Sequence, residues 1–173
     1  MGDTFCEELI PCKIRLSEIL IRAVCVMGCL LLLGLVGILG QYGIYVLVLE
    51  FFAIYGTIIV WKNTNIEYEY AYLNGRFTID KIYGKNRRKF ACQFDLKDAE
   101  LVAHEDSHRL DYHLNNPNFR ITDYSSGYEA DNRYVVVVGG KNGADAYGVF
   151  VELSSEMLEA IYHDAPSKVH KEN

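Results

Sequence analysis

From Ala23 to Leu49 the sequence has no Asp, Glu, Lys or Arg, and Glu50 is the only charge before Lys62. A run that long does not fit inside one domain of 173 residues, which argues against a wholly water-soluble globule. Proline is scarce, with 3 residues, and aromatic residues make up 13%, so a disordered chain is excluded. An excess of basic charge is also missing. The net charge of −6 excludes a nucleic-acid binder of the usual basic kind. No disulfide framework can be drawn either: the 5 cysteines are odd in number, and only Cys92 lies beyond the first apolar segment.

What is present begins with that apolar third. A membrane-spanning helix needs about 20 apolar residues at 1.5 Å each, and Ile19–Trp61 is about twice that length. Two helices are therefore expected, at 19–39 and 43–61, broken at the glycine-flanked Gly40-Gln41-Tyr42-Gly43. A single helix over 23–49, with 51–61 on the surface or in the β-domain, is the competing reading. A cleavable signal peptide is rejected, because the apolar core is too long and starts late. Tyr42, Tyr45 and Trp61 fall where an interfacial aromatic belt would lie. The N-terminal flank carries Lys13, Arg15 and Arg22, the C-terminal flank carries Lys62 and then Arg76, Lys81, Lys85, Arg87, Arg88 and Lys89, and the turn has no basic residue, so both termini are expected in the cytoplasm. Cys25 and Cys29 share a helical face and read as small packing residues. Cys6 and Cys12 read as ordinary juxtamembrane thiols rather than acylation sites.

After Lys62 the period changes to two. Ile66, Tyr68, Tyr70 and Tyr72 share one strand face, Asn74-Gly75 signals a tight hairpin, and Phe77, Ile79 and Tyr83 continue on the next strand. Gly84-Lys85-Asn86 turns the chain again into a strand with Phe90, Cys92, Phe94 and Leu96 alternating. Leu101–Ala103, Phe119–Tyr124, Arg133–Val138 and Tyr147–Glu152 read as further strands, with a polar loop over His104–Asn118. Ser154 or Ser155 caps a helix whose stripe is Met157, Leu158, Ile161 and Tyr162, and Asp164 and Pro166 stop it. The divisions are thus a cytoplasmic segment 1–18, helices 19–39 and 43–61, a cytoplasmic domain 65–165 and a polar tail 166–173. The fold class is an α+β membrane protein: a two-helix transmembrane hairpin, then an antiparallel β-domain capped by a C-terminal helix.

The hairpin, the stretch Asn65-Ile66-Glu67-Tyr68-Glu69-Tyr70 running through Asn74-Gly75 into Asp80-Lys81-Ile82, and Pro166-Ser167-Lys168-Val169 carry a resemblance. Together they resemble a family of small bacterial membrane proteins classed as a domain of unknown function. Its soluble part is similar to bacterial pleckstrin-homology-like domains. The resemblance implies this architecture for nearly the whole chain and supplies no catalytic motif.

Four constellations invite a chemical reading. His104-Glu105-Asp106-Ser107-His108 matches H-E-x-x-H, which makes a zinc-protease site when one helical turn presents both imidazoles. Here the motif falls where a strand ends in a polar loop, so a metalloprotease is a remote alternative. His104, His108 and His113 are at most weak metal ligands. Gly139-Gly140-Lys141-Asn142-Gly143 leads into a strand and reads as a hairpin turn, not a phosphate cradle. Glu50 stands near the middle of the second helix, where a charge costs on the order of 3 kcal/mol. Gly43, Ala53 and Thr57 share its face, and Gly34 and Gly37 offer a close-approach surface on the first helix. Glu50 is accordingly read as a membrane-embedded polar contact. Arg76, Lys81, Lys85, Arg87, Arg88 and Lys89 form a basic cluster that would face anionic lipid head groups.

These readings point to a non-enzymatic, membrane-tethered interaction or scaffold module in the cell membrane, with two spans and no catalytic residue or cofactor. Its expected partners are the lipid bilayer and a second copy or another membrane protein, with no nucleic acid. An accessory subunit of a transporter or channel, contacting its complex through Glu50, is the alternative.

Overall fold

The computed structural model describes residues 5–128, 130, 132–140 and 145–170. They divide into two compact units, one made of Lys13–Ile66 with Tyr83–Arg87 and the other of the remaining chain.

In the first unit α1 (Leu16–Leu39) and α2 (Gly43–Asn63) are joined by one 3-10 turn at Gly40–Tyr42. Gly40, at φ 51°, takes the left-handed backbone that ends α1, a conformation for which glycine is suited. At the other end, Arg15 N–H donates to Glu18 Oε2 at 3.0 Å, and this cap starts the helix at Leu16, earlier than the expected 19. The helices pack antiparallel along faces that recur every three or four residues. Arg22, Cys25, Cys29, Leu32 and Val36 of α1 face Gly43, Val46, Glu50, Ala53, Thr57 and Val60 of α2. Three contacts fix the register. Arg22 Nε donates to Thr64 Oγ1 at 2.8 Å, Cys29 Sγ lies 3.6 Å from Thr57 Oγ1, and a Cβ on Gly43 would sit 2.8 Å from the Val36 carbonyl oxygen. The outward faces are apolar and exposed, as at Leu31, Ile38, Phe51 and Ile58. The helical stretch Leu16–Asn63 is long and apolar enough to cross a membrane.

The second unit holds two sheets. The first has the order β1 (Phe5–Pro11), β2 (Ile66–Leu73), β3 (Arg76–Tyr83), β4 (Arg87–Asp95). Asn74 and Gly75 (φ 48° and 85°) and then Gly84 and Lys85 (φ 54° and 64°) supply the two expected turns. The second sheet has the order β6 (Arg120–Asp123), β8 (Tyr147–Glu152), β7 (Arg133–Val138), β5 (Ala99–His104), β9 (Val169–His170). One core joins Tyr70, Tyr72, Phe77 and Phe94 of the first sheet to Val102, Val136 and Val149 of the second. It is closed by Met157, Leu158 and Ile161 of α4 (Ser155–Asp164). Ser154 caps α4, its side chain accepting from Met157 N–H at 3.2 Å. The other face of the second sheet carries a smaller cluster in which Leu110 and Phe119 cover Val135, Val137 and Phe150.

Several expectations are corrected. Residues 5–11 are not part of a separate N-terminal segment. They form β1, antiparallel to β2 from Phe5↔Leu73 to Pro11↔Glu67. Its inward face is Cys6, Glu8 and Ile10 and its outward face includes Phe5 and Leu9, so exposure alternates along Phe5–Pro11 while polarity does not, as an edge strand with one half-buried face allows. Nor is 166–173 only a tail: Val169 is buried and pairs with Val102, extending the β-domain beyond 165. The domain is not purely antiparallel, because β5 with β9 and β6 with β8 are parallel pairs. In the expected loop 104–118, a 3-10 turn at His108–Leu110 and the one-turn α3 (Asp111–Leu114) bury Leu110. Phe90 is exposed, and at the end of β3 it is Ile82 rather than Tyr83 that is buried.

Candidate functional site

Glu50 lies on the face of α2 that packs against α1 and is only 7% exposed. Its Oε2 is buried with no hydrogen-bond partner among the described residues. The register set by Gly43–Val36 and Thr57–Cys29 puts it opposite the Leu32–Val36 turn, an apolar setting. Gly43, Ala53 and Thr57 share this face as expected, and the Thr57 hydroxyl is occupied by the Ala53 carbonyl at 2.9 Å. The opposing surface differs from the expectation. Gly34 and Gly37 are exposed with open space around them, and α1 meets α2 through Val36, Leu32 and the two cysteines. Close approach occurs at a single glycine, Gly43.

Of the six basic residues, Arg76 opens β3 and Lys81 stands five residues along it, roughly 17 Å away at 3.3 Å per residue; Arg88 and Lys89 belong to the sheet unit, and Lys85 and Arg87 to the helical unit. Arg76 pairs with Asp95 at 3.2 Å, Lys81 lies 5.9 Å from the centre of the Tyr68 ring, and Arg88 reaches Glu69 at 2.8 Å. Arg88 is thereby engaged with a buried acid. Burial, followed by a hydrogen bond shared with Glu7, raises the Glu69 carboxyl above its ordinary range, and Arg88 opposes that rise. Lys85, Arg87 and Lys89 remain exposed near the β3–β4 turn. That turn packs on the end of α2: Gly84 N–H donates to the Asn65 carbonyl at 2.8 Å, and a Cβ on Gly84 would sit 2.9 Å from the Lys62 carbonyl oxygen.

The histidines do not converge. His104 ends β5, with Nδ1 3.5 Å from Asp106 and its ring edge-on to Tyr134. Glu105 forms an ion pair with Arg133 at 2.9 Å, and the Arg133 guanidinium lies over the Phe150 ring. His108 is fully exposed at the start of the 3-10 turn, 3.4 Å from Asp111, while His113 faces Glu100 and Phe119. With a strand, a turn and a 3-10 turn in place of one helix, the two imidazoles of the motif have no common face. Among the described residues no group of three His, Cys, Asp or Glu side chains could hold a metal ion. Gly139 follows β7 directly, and Lys141–Gly143 of the glycine-rich turn lie outside the described residues.

Sequence reasoning missed two arrangements. Tyr72 OH donates to Asp164 Oδ2, tying β2 to the end of α4, and this bond holds the Asp164 carboxyl below its ordinary range. Glu152 is buried and accepts from both Ser126 N–H and Ser126 Oγ at 2.7 Å, pinning the segment after β6. Both join residues far apart in the chain, so neither leaves a local signal.

Two sheets sharing one core with a C-terminal helix are the layout the resemblance implies. The family model described as Bacterial PH-like domain (DUF6106) matches residues 2–171. The chain belongs to this bacterial PH-like family. No curated protein and no solved structure matches it. The match spans the helical segment as well as both sheets of the PH-like domain. The family description names no activity, so function rests on the geometry.

Proposed function

We propose that this PH-like protein is a non-enzymatic, membrane-tethered interaction module. In this reading α1 and α2 cross the bilayer as a hairpin, with the PH-like domain and both chain ends on the cytoplasmic side. The observation that supports it most is the pairing of β1 with β2 across the helical segment, which brings Pro11 opposite Glu67. Strands of one sheet lie on one side of a membrane, so the chain between them crosses an even number of times. At 24 and 21 residues, α1 and α2 are each long enough for one crossing of about 30 Å. The basic residues at the hairpin's open end and their absence from its tip support the cytoplasmic side for that end. The bilayer is then the first partner, with anionic head groups facing the basic residues near its surface.

Reporter fusions test this topology. Alkaline phosphatase after Asn173 is expected to be inactive, a fluorescent protein there to glow, and phosphatase inserted at Gln41 to be active. Active phosphatase after Asn173 would sink the hairpin. A second reading, an accessory subunit of a transporter or channel, is favoured by the buried, unpartnered carboxyl of Glu50. Affinity purification in mild detergent separates the two: a stoichiometric membrane protein that is lost with Glu50→Leu supports the subunit.

A further inference from the structure

At the open end of the hairpin, Arg22 is held in a fixed pose. Its Nε donates to Thr64 Oγ1 at 2.8 Å, and its guanidinium carbon lies 4.8 Å from the centre of the Trp61 ring. Its Nη2 is buried and has no hydrogen-bond partner among the described residues. A guanidinium donor removed from water without an acceptor is costly, and an anion is the chemistry that satisfies it. Nearby positive charge adds to the site. The exposed Lys62 follows Trp61, and the β3–β4 turn packed on Lys62 carries the exposed Lys85 in left-handed backbone (φ 64°). The acids of this unit are Glu18 and Glu50. Glu18 is engaged with the Arg15 N–H, and Glu50 lies roughly 18 Å along α2 from Lys62 at 1.5 Å per residue.

We propose that Arg22, Lys62 and Lys85 bind the phosphate of an anionic glycerophospholipid, with Trp61 packed beside the bound lipid. This rests on the reading that the hairpin is embedded in a bilayer. Trp61 is where an interfacial indole belongs, one end of the ring in hydrocarbon and the other at head-group depth. A planar guanidinium offers a phosphate two parallel donors, and the two lysines add point charge. The site belongs to the helical unit and shares only Lys85 with the expected cluster. Arg76 and Arg88 have carboxylate partners, whereas Arg22 donates to a neutral hydroxyl.

Trp61 is the single tryptophan of the chain and reports on the site directly. The full-length protein is reconstituted in phosphatidylcholine vesicles that contain brominated phosphatidylglycerol or, separately, brominated phosphatidylcholine. Trp61 fluorescence is followed against mole fraction of the brominated lipid. The expected result is steeper quenching by the phosphatidylglycerol, with a preference that drops about fivefold for each basic residue removed. Arg22→Gln, Lys62→Gln and Lys85→Gln should each lower it, and Arg76→Gln should leave it unchanged. Lys62 and Lys85 are exposed, so their variants keep the test valid if Arg22→Gln fails to fold. Equal quenching by the two lipids overturns the lipid site and leaves the membrane reading standing. Loss of the preference on adding inorganic phosphate overturns the lipid as ligand in favour of a free anion. Absence of quenching by either lipid overturns the membrane reading itself.

Discussion

Pro11 and Glu67 are opposite each other in adjacent antiparallel strands, although the whole helical hairpin lies between them in the chain. The hairpin is therefore an insertion between two paired strands, not a leader that precedes the domain. An antiparallel helix pair returns the chain close to where it left, which lets β1 and β2 close their ladder.

The helix packing should depend on one glycine. A Cβ on Gly43 would meet the Val36 carbonyl at 2.8 Å, backbone that cannot swing aside, while Gly34 and Gly37 face open space. Gly43→Val is expected to cost about 1–3 kcal/mol of helix–helix stability, as overpacking does. Gly34→Ala and Gly37→Ala should be near neutral. Thermal unfolding in detergent, followed by circular dichroism, measures all three. A Gly34 variant as damaging as the Gly43 one would contradict the register.

Glu50 has no hydrogen bond to α1 among the described residues, so the hairpin alone gives it no reason to be polar. Glu50→Leu, similar in volume, should leave hairpin stability unchanged or higher. If the carboxyl contacts another chain, Glu50→Gln should keep that association and Glu50→Leu weaken it by roughly 0.5–2 kcal/mol. If it carries protons or ions, Gln should fail as badly as Leu. Partner recovery and growth, measured for both variants, separate these outcomes.

Stability of the PH-like domain should fall in acid through Asp164. Hydrogen bonding from Tyr72 lowers its carboxyl, so this stabilisation is present above the unfolded value near 4 and is lost as pH drops through the folded value. Tyr72→Phe should cost about 1–2 kcal/mol above pH 5 and flatten the decline below it. Glu69 acts with the opposite sign: its carboxyl is raised, so falling pH relieves the folded state of a buried charge. Urea titrations of the two proteins from pH 7 to pH 3 show whether the slopes differ as stated.

Glu105→Gln should leave any phenotype of the intact gene unchanged. Its ion pair with Arg133 is partly exposed, so stability should drop by less than about 1 kcal/mol. Elemental analysis of the purified protein supplies the check. A stoichiometric zinc signal lost on His104→Ala or His108→Ala would reverse the assignment.

Local signals were strong enough to read much of this fold. Asn74, Gly75 and Gly84 adopt positive φ where their residue types allow it, Ser154 caps α4, and the break at Gly40–Tyr42 falls at the most polar point of the apolar run. Each depends on a few neighbouring residues, so a short stretch of sequence determines it. Glu50 was visible for the same reason, as one charge in a long apolar run. What only the tertiary structure decided are the pairings between distant segments. Phe5–Pro11 and Val169–His170 become strands because β2 and β5 offer them an edge, not because their own residues alternate. Sequence placed Gly34, Gly37 and Gly43 alike on their helices, and the register alone brings Gly43 against Val36. The basic run from Arg76 to Lys89 is one cluster along the chain, yet extended β3 sets Arg76 roughly 17 Å from Lys81 within the sheet unit. Arg22 gained its role only when the antiparallel packing of α1 on α2 set it beside Thr64 and Trp61.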